Sequence, residues 1–547
     1  MSSSTKLHTQ PSDSPALSPR RLYWQNDLRY IVVTLTVIIL AGLALRTYEL
    51  SARSLWFDEA FAWRLTQFPF AEMIQCVGQD NHPPLYFILL KAWAAVFGDS
   101  AFALRSLSVL FGVLTILGTY LFAVEVFDDK SDGLRKRGQG IGLLAAAFVA
   151  LSAFQIRYSW EMRMYALATA LAVFSSWALF RALRPPSRLH RWLQYGIFAL
   201  LLAATHYYAL FTLAAQAIFV AAVLLTQAEW NFRTVLRNQH FRHALLTAIL
   251  VMLACLPWLP VFLRQRAQVR ETFWTHPVTR WDAAELCYWI FVAPEAFSSA
   301  PRSVQLLSAD VCLLGLYMLW RKARMAEWYI LWSATAPLLF CLLASEFRLH
   351  VFTPRYFIIA HVFLLIGLAT LVWRIPRRLE RNIVAVVLLV FFVGIYVDYW
   401  RDLDIEHKPG AQGAAAFLQE QRRPGEPVIV CMPRFYFSLL HYAKDRRDYH
   451  LYSDGRPMPH HYGTAAMIPE DLITDEQLRT LRSRRVWVVD MAGGNMGFHA
   501  VPVPSEWVVK ERRVFSDLVG VGDVIVLRYD TSGGTGGNPA AEERRSP

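Results

Sequence analysis

From Tyr30 to Trp400 the chain is built of apolar blocks separated by short polar connectors. The blocks are Tyr30 to Leu45, Ala103 to Phe127, Ile141 to Ile156, Tyr165 to Phe180, Trp192 to Thr205, Tyr207 to Leu225, Ala244 to Leu263, Val304 to Trp320, Trp328 to Ala344, Tyr356 to Trp373 and Ile383 to Trp400. Each approaches the roughly 20 residues that a helix needs to cross a bilayer, so the pattern predicts about eleven transmembrane helices. A shorter apolar stretch, Pro84 to Phe97, is bounded by Pro-Pro and Gly98-Asp99 and fits a helix lying along the interface. From residue 401 the pattern changes. Ala411 to Gln421 and Arg434 to Lys444 read as helices, and Pro427 to Met432, Arg485 to Asp490 and Val524 to Tyr529 as strands, which predicts a small soluble α/β domain over 401–530.

The pattern divides the chain into a Ser/Pro-rich, basic tail (1–29), a membrane domain (30–400) whose first outer loop covers about 46–102, the α/β domain, and a Gly/Ser/charged tail (531–547). Both tails read as disordered. The first span is taken as uncleaved, a cleaved signal being the alternative. There is no internal repeat of the kind that many transporters carry, and the α/β domain shows no Gly-rich phosphate loop or Ser/His/Asp spacing.

Composition agrees: of 547 residues, 55% are hydrophobic. The formal charge of +12 does not point to nucleic acid, because the basic residues sit in connectors. Lys130/Arg135/Lys136/Arg137, Arg181/Arg184/Arg188/Arg191, Arg233/Arg237/Arg242, Arg321/Lys322/Arg324 and Arg374/Arg377/Arg378/Arg381 mark one side, as the positive-inside bias does on the cytoplasmic face. The N-terminus is then cytoplasmic, and an odd number of spans puts the C-terminal domain outside. Among six cysteines, Cys255, Cys312 and Cys341 lie in apolar blocks, while Cys76, Cys287 and Cys431 fall in segments where a disulfide is possible.

Against this background the stretch from Arg53 to Arg105 stands out. Trp56-Phe57-Asp58-Glu59-Ala60 and Asp80-Asn81-His82-Pro83-Pro84 place three acids and a histidine between apolar runs. An uncompensated acid in hydrocarbon costs about 2.5 to 3.5 kcal/mol, so acids beside spans generally line a wet cavity or a site. Asp58 and Glu59 would diverge by about 100° on a helix, so one acts and the other supports. A carboxylate suits the deprotonation of a hydroxyl nucleophile; acids in a first helical turn, capped by Ser54, are the plainer alternative. His82 contacts a substrate or metal, or belongs to a rigid turn that opens a helix. Arg105, just inside the second span, and Arg163 and Tyr165 in Arg157-Tyr158-Ser159-Trp160-Glu161-Met162-Arg163-Met164-Tyr165 fit a lipid phosphate. The competing roles are snorkelling for Arg105 and, for Glu161, an ion pair with Arg157 or Arg163. His206-Tyr207-Tyr208 either forms an interfacial belt or lines the same cavity, and Arg355 with Tyr356 repeats the theme of an arginine beside an aromatic.

The strings RSLWFDEAFAW, DNHPPLYFILLKAW, FALRSLSVLFG, RYSWEMRMYAL and TPRYF together resemble bacterial GT-C glycosyltransferases, more narrowly the ArnT-like and protein-mannosyltransferase-like group, glycosyltransferase family 39. The resemblance implies a polytopic helical GT-C fold, a polyprenyl-phosphate-linked sugar donor, and an extracytoplasmic active site under the first long loop. It further implies Asp58 as catalytic base supported by Glu59, Glu161 as a second acid, and Arg105 and Arg163 near the lipid phosphate. Arg355 and Tyr165 join the expected phosphate site, and Asp80, His82 and Tyr207 the expected substrate or support residues. Metal use differs within the family, so a divalent cation stays open. The expected activity is inverting sugar transfer to a hydroxyl of an envelope glycan, glycolipid or protein in the bacterial inner membrane. The alternatives are a glycan-chain ligase and a lipid-sugar translocase.

Overall fold

A segment that must hide its peptide groups from lipid has to pair them internally, and the apolar blocks fold as helices accordingly. The computed structural model describes residues 19–128, 135–272, 278–293, 300–347, 352–492, 501–517 and 522–532. α1 (Pro19–Thr47) leads into a connector folded as α2 (Phe57–Gln67), α3 (Phe70–Gln79) and α4 (Leu85–Phe97). There follow α5 (Ala101–Phe127), α6 (Arg135–Leu151), α7 (Ala153–Trp160), α8 (Tyr165–Leu183), α9 (Leu189–Ala203), α10 (Ala209–Gln227) and the short α11 (Phe232–Arg237). α12 (Gln239–Cys255) continues through a tight turn into α13 (Leu259–Thr272), and α14 (Asp282–Val292), α15 (Arg302–Trp320), α16 (Met325–Glu346), α17 (Ile358–Trp373) and α18 (Arg378–Leu403) complete the bundle.

Among the described residues nine helices are long and apolar enough to cross a membrane, and the bent pair α6 and α7 makes a tenth. The block Trp192 to Thr205 accounts for the difference from the expected eleven. It folds as α9, whose 15 residues extend only about 22 Å. α9 nevertheless joins the two ends of the bundle. The basic connectors meet at one end, where Arg137 and Arg374 reach Glu327 at 3.2 and 3.4 Å and Arg184 reaches Glu125 at 2.7 Å. The connectors with Asp58, His82, Glu161, His206 and Arg355 meet at the other.

Several boundaries move. α1 starts at Pro19, so helix enters the stretch read as an N-terminal tail; residues 1–18, Ser131 and 533–547 lie outside the described residues. Arg157 to Trp160 belongs to α7, which leaves only Glu161 to Met164 as the turn. All six cysteines are free thiols, so the possible disulfides at Cys76, Cys287 and Cys431 are absent.

The α6–α7 span bends by 57° at Ser152, whose hydroxyl accepts a hydrogen bond from Gln155 N and caps α7. A break of this kind strands the last carbonyls of α6 inside the bundle. Arg46, fully buried at the end of α1, satisfies them: Nη2 donates to Val149 O and Nη1 to Ala150 O, both at 3.0 Å, while Nε donates to Ser159 Oγ at 3.2 Å. A guanidinium thus ties α1 to both halves of the bent span.

Beyond α18 lies the α/β domain: α19 (Gly410–Gln421), β1 (Val428–Val430), α20 (Pro433–Tyr442), β2 (Tyr449–Tyr452), β3 (Leu472–Ile473), α21 (Asp475–Arg479), β4 (Arg485–Met491), β5 (Val508–Phe515) and β6 (Val524–Asp530). The sheet order is β3-β2-β1-β4-β6-β5, with β1 parallel to β2 and β4, and β6 antiparallel to β4 and β5. α20 packs on α2. Ser438 Oγ donates to Leu55 O at 3.0 Å, Leu55 N donates to the Tyr442 hydroxyl at 2.9 Å, and Arg64 pairs with Asp471 at 3.1 Å. Gly463, at φ 74°, brings its backbone so close to Phe57, Phe61 and Phe437 that a Cβ would stand 3.0–3.1 Å from all three rings. The domain therefore sits directly on the helix that carries Asp58.

Candidate active site

α2 begins at Phe57 behind Trp56, whose extended backbone caps the helix without a side-chain hydrogen bond. Ser54 is not the cap; its hydroxyl accepts from Gln412 N at 3.2 Å. Asp58 and Glu59 fall in the first turn, where carboxylates favour the helix dipole, and they leave the helix in different directions. Glu59 turns inward and is fully buried. Arg105 Nε donates to its Oε1 at 2.8 Å and Nη2 to its Oε2 at 2.7 Å, and Met162 N donates to Oε1 at 3.0 Å. Burial alone would push the Glu59 carboxyl upward, but the charge and hydrogen bonds of Arg105 outweigh it and hold it below the usual range.

This geometry corrects two expectations. Arg105 also donates to Leu50 O at 2.8 Å, Arg53 O at 2.9 Å and Ser54 O at 3.3 Å, so all its N–H groups point at protein acceptors. It is 1% exposed and has nothing left to offer a phosphate. Glu59 is likewise consumed: the pair pins α2, the 50–54 loop, α5 and the 161–164 turn together and makes no contact with the space above Asp58.

Asp58 faces that space, with 23% of its side chain exposed. Arg355 Nη1 lies 3.4 Å and Arg163 Nε 3.9 Å from Oδ2, both long for an ion pair. Arg355 stacks over Trp56 at 5.6 Å. Arg163 is buried, and its Nε has no hydrogen-bond partner among the described residues. A buried cationic N–H left without an acceptor is costly unless a ligand supplies one. Around the arginines stand Tyr165, His206 and Tyr356, with the His206 ring 5.9 Å from Tyr165, 5.0 Å from Tyr356 and 5.8 Å from His82. Asp80 Oδ2 contacts His82 Nδ1 at 2.9 Å, and Arg163 Nη2 approaches His82 Nε2 at 3.2 Å.

Glu161 completes the constellation in a different state. It is 5% exposed, and its Oε2 is buried without a hydrogen-bond partner. Arg163 N donates to the backbone O of Glu161 at 2.7 Å, and the Arg157 guanidinium lies over the Tyr158 and Trp289 rings. Burial pushes the Glu161 carboxyl up to about 7, opposed by Arg157 and Arg53 and reinforced by Glu59. Three acids at one end of the bundle thus have three fates: Glu59 clamped, Asp58 half-open between cations, and Glu161 buried near neutrality. Such divergence is characteristic of sites that move protons.

Tyr207 turns away from the site. Its hydroxyl donates to Gln265 and accepts from Trp258 Nε1 at 2.9 Å, holding α13, while its neighbour His206 enters the cluster. The run His206-Tyr207-Tyr208 was legible as polar punctuation, but a sequence does not show which of three consecutive side chains faces inward. Arg46 escaped notice because an arginine ending an apolar block ordinarily snorkels. Among the described residues no three His, Cys, Asp or Glu side chains stand together as a metal site.

Residues 81–260 match the family model described as dolichyl-phosphate-mannose-protein mannosyltransferase. No curated protein sequence matches the chain. The fold is similar to that of ArnT from Cupriavidus metallidurans in the apo state, with a TM-score of 0.60 and 13% identity over 93% of this chain and 100% of that one. It is also similar to the same protein bound to undecaprenyl phosphate, with a TM-score of 0.54 and 13% identity over 91% of this chain and 98% of that one. At such identity the likeness is one of fold. The segment matched by the family model contains His82, Glu161 and Arg163, and the architecture around it is similar to that of ArnT.

Proposed function

We propose that the chain is a membrane glycosyltransferase that moves a sugar from a polyprenyl-phosphate donor to a hydroxyl of an envelope glycan, glycolipid or protein on the outer side of a bacterial inner membrane. The observation that carries this reading is the Asp58 carboxylate, partly open, between Arg355 and a buried Arg163 whose Nε lacks an acceptor. Asp58 takes the proton of the acceptor hydroxyl as its oxygen attacks the anomeric carbon. The bond from that carbon to the phosphate oxygen breaks, and the electron pair leaves with the polyprenyl phosphate, inverting the anomeric centre. Arg163 and Arg355 neutralise the departing phosphate, a charge they hold better than the ground-state diester. Both contacts with Asp58 are long, at 3.4 Å from Arg355 and 3.9 Å from Arg163, and the Arg163 Nε still lacks a hydrogen-bond acceptor for the donor to supply. The Tyr165, His206 and Tyr356 rings stand together beside the arginines, and α20 of the C-terminal domain packs on α2, the helix that carries Asp58.

The test is transfer by purified protein in lipid vesicles, with monosaccharyl and chain-length polyprenyl-phosphate donors offered separately to total envelope glycolipids and proteins. A mass gain equal to one sugar supports the reading. A gain equal to a whole chain transfers it to a ligase, and flipping of donor without transfer makes the chain a translocase.

A further inference from the structure

We propose that His82, oriented by Asp80, is a positioning residue that holds the Arg163 guanidinium facing Asp58; this rests on the reading of Arg163 as a ligand of the donor phosphate. The argument starts from donors and acceptors. An ionised carboxylate only accepts, so at the 2.9 Å contact with Asp80 Oδ2 the proton sits on His82 Nδ1. An arginine only donates, so at 3.2 Å Arg163 Nη2 requires the lone pair of His82 Nε2. Both contacts are satisfied by one form of the ring, the neutral imidazole protonated on Nδ1. A second ring proton would point directly at a guanidinium N–H.

The supporting frame is rigid. Asp80 caps α3, its N–H donating to Cys76 O at 3.1 Å and Val77 O at 3.2 Å. The last turn of α3 is in turn held from α13, where Arg264 donates to Gly78 O at 2.8 Å and Gln265 Nε2 to Val77 O at 2.9 Å. Two prolines after His82 fix the entry into α4. Arg163 gains from this a defined pose: Nη2 on His82, Nη1 directed to Asp58 O at 3.4 Å, the carbon of the guanidinium 6.0 Å above the Phe87 ring. What remains unengaged is Nε, on the edge that faces Asp58 Oδ2. An unsupported arginine would instead lose rotamer freedom upon binding each donor.

The titratable and charged groups around His82 are Asp80 on its own loop, Arg163 from the α7–α8 turn and His206 from the α9–α10 connector. His460 of the C-terminal domain lies within electrostatic reach of Asp80.

The experiment measures binding of undecaprenyl phosphate to the full-length protein in detergent for the wild type, Arg163→Ala, His82→Gln and His82→Asn. The Gln side chain places its carbonyl oxygen where Nε2 stands and can still accept from Arg163, whereas Asn reaches only Asp80. The expected result is a Kd raised about tenfold or more in His82→Asn and within about threefold of wild type in His82→Gln, with unchanged melting temperatures. Equal Kd values for His82→Asn and wild type, or a His82→Gln variant as weak as His82→Asn, overturn the proposal. If Arg163→Ala binds like the wild type, the phosphate reading beneath it fails as well; if Arg163→Ala is weak but His82→Asn is not, the positioning role alone fails.

Discussion

The Arg105 guanidinium grips Glu59 in a two-pronged bond, Nε to Oε1 at 2.8 Å and Nη2 to Oε2 at 2.7 Å, with neither side chain more than 1% exposed. Removing one partner strands a charge in the interior, which costs about 3 to 5 kcal/mol. Glu59→Gln and Arg105→Ala should therefore lower the yield and melting temperature of the folded protein. A variant of either residue that melted like the wild type while losing donor binding would return Arg105 to the phosphate site.

Asp58 is expected to behave in the opposite way. It is partly open, and its partners are long, so Asp58→Asn should fold and melt normally. Loss of a general base should lower the transfer rate by about a hundredfold to ten-thousandfold. Near-normal turnover in the transfer assay would remove Asp58 from the chemistry.

Glu161 introduces a pH dependence whose sign is fixed by burial. Its carboxyl is raised from 4.5 to about 7 in the folded protein, so the folded state binds the proton more tightly than the unfolded one. The stability it contributes is complete below about 4.5 and is lost as the pH rises through about 7. Melting temperatures recorded between these limits should fall more steeply with pH in the wild type than in Glu161→Gln. Parallel curves would show that the carboxyl is solvated or paired in solution.

Tyr207 braces α13 through Gln265 and Trp258 and does not face Asp58. Tyr207→Phe should leave donor Kd within about twofold and cost about 1 kcal/mol of stability, the ordinary worth of a hydrogen bond. Isothermal binding to undecaprenyl phosphate checks this, and a large rise in Kd would put the tyrosine back into the site.

The arrangement of connectors also makes a topological prediction. Single cysteines at Gly455, in the C-terminal domain, and at Thr234, in the basic connector before α12, should react with an impermeant thiol reagent from opposite sides of the membrane, Gly455 from outside. Labelling of both in intact cells would refute the orientation.

Most of the bundle was legible because a lipid-facing helix must be apolar along its whole length, and the blocks report that directly. The bend at Ser152 was not, since α6 and α7 are apolar on both sides of it and the break is stabilised by Arg46, more than a hundred positions earlier. In the α/β domain, β1, β4 and β6 show as buried apolar runs. β2 and β3 are too short for a pattern, and β5, Val508–Phe515, is an edge strand whose Lys510, Arg512 and Arg513 hide its strand character while they guard an open edge. The motif residues of the candidate site were found together, yet their roles divided only in three dimensions. A sequence shows that Arg105 and Arg163 are both arginines near a membrane surface; it does not show that the N–H groups of one are all spoken for.

Arg46 sets an order of assembly. The carbonyls it satisfies belong to Val149 and Ala150, 103 and 104 residues further along, so when α1 first enters the bilayer its guanidinium has only the Gly42 carbonyl of its own helix and the lipid headgroups to meet. Only after α6 and α7 have been synthesised can α1 exchange water for those carbonyls and settle. The earliest helix to be made thus docks only after the bent span has followed it, and a chain cut short before α7 would leave an N-terminal anchor without a seat.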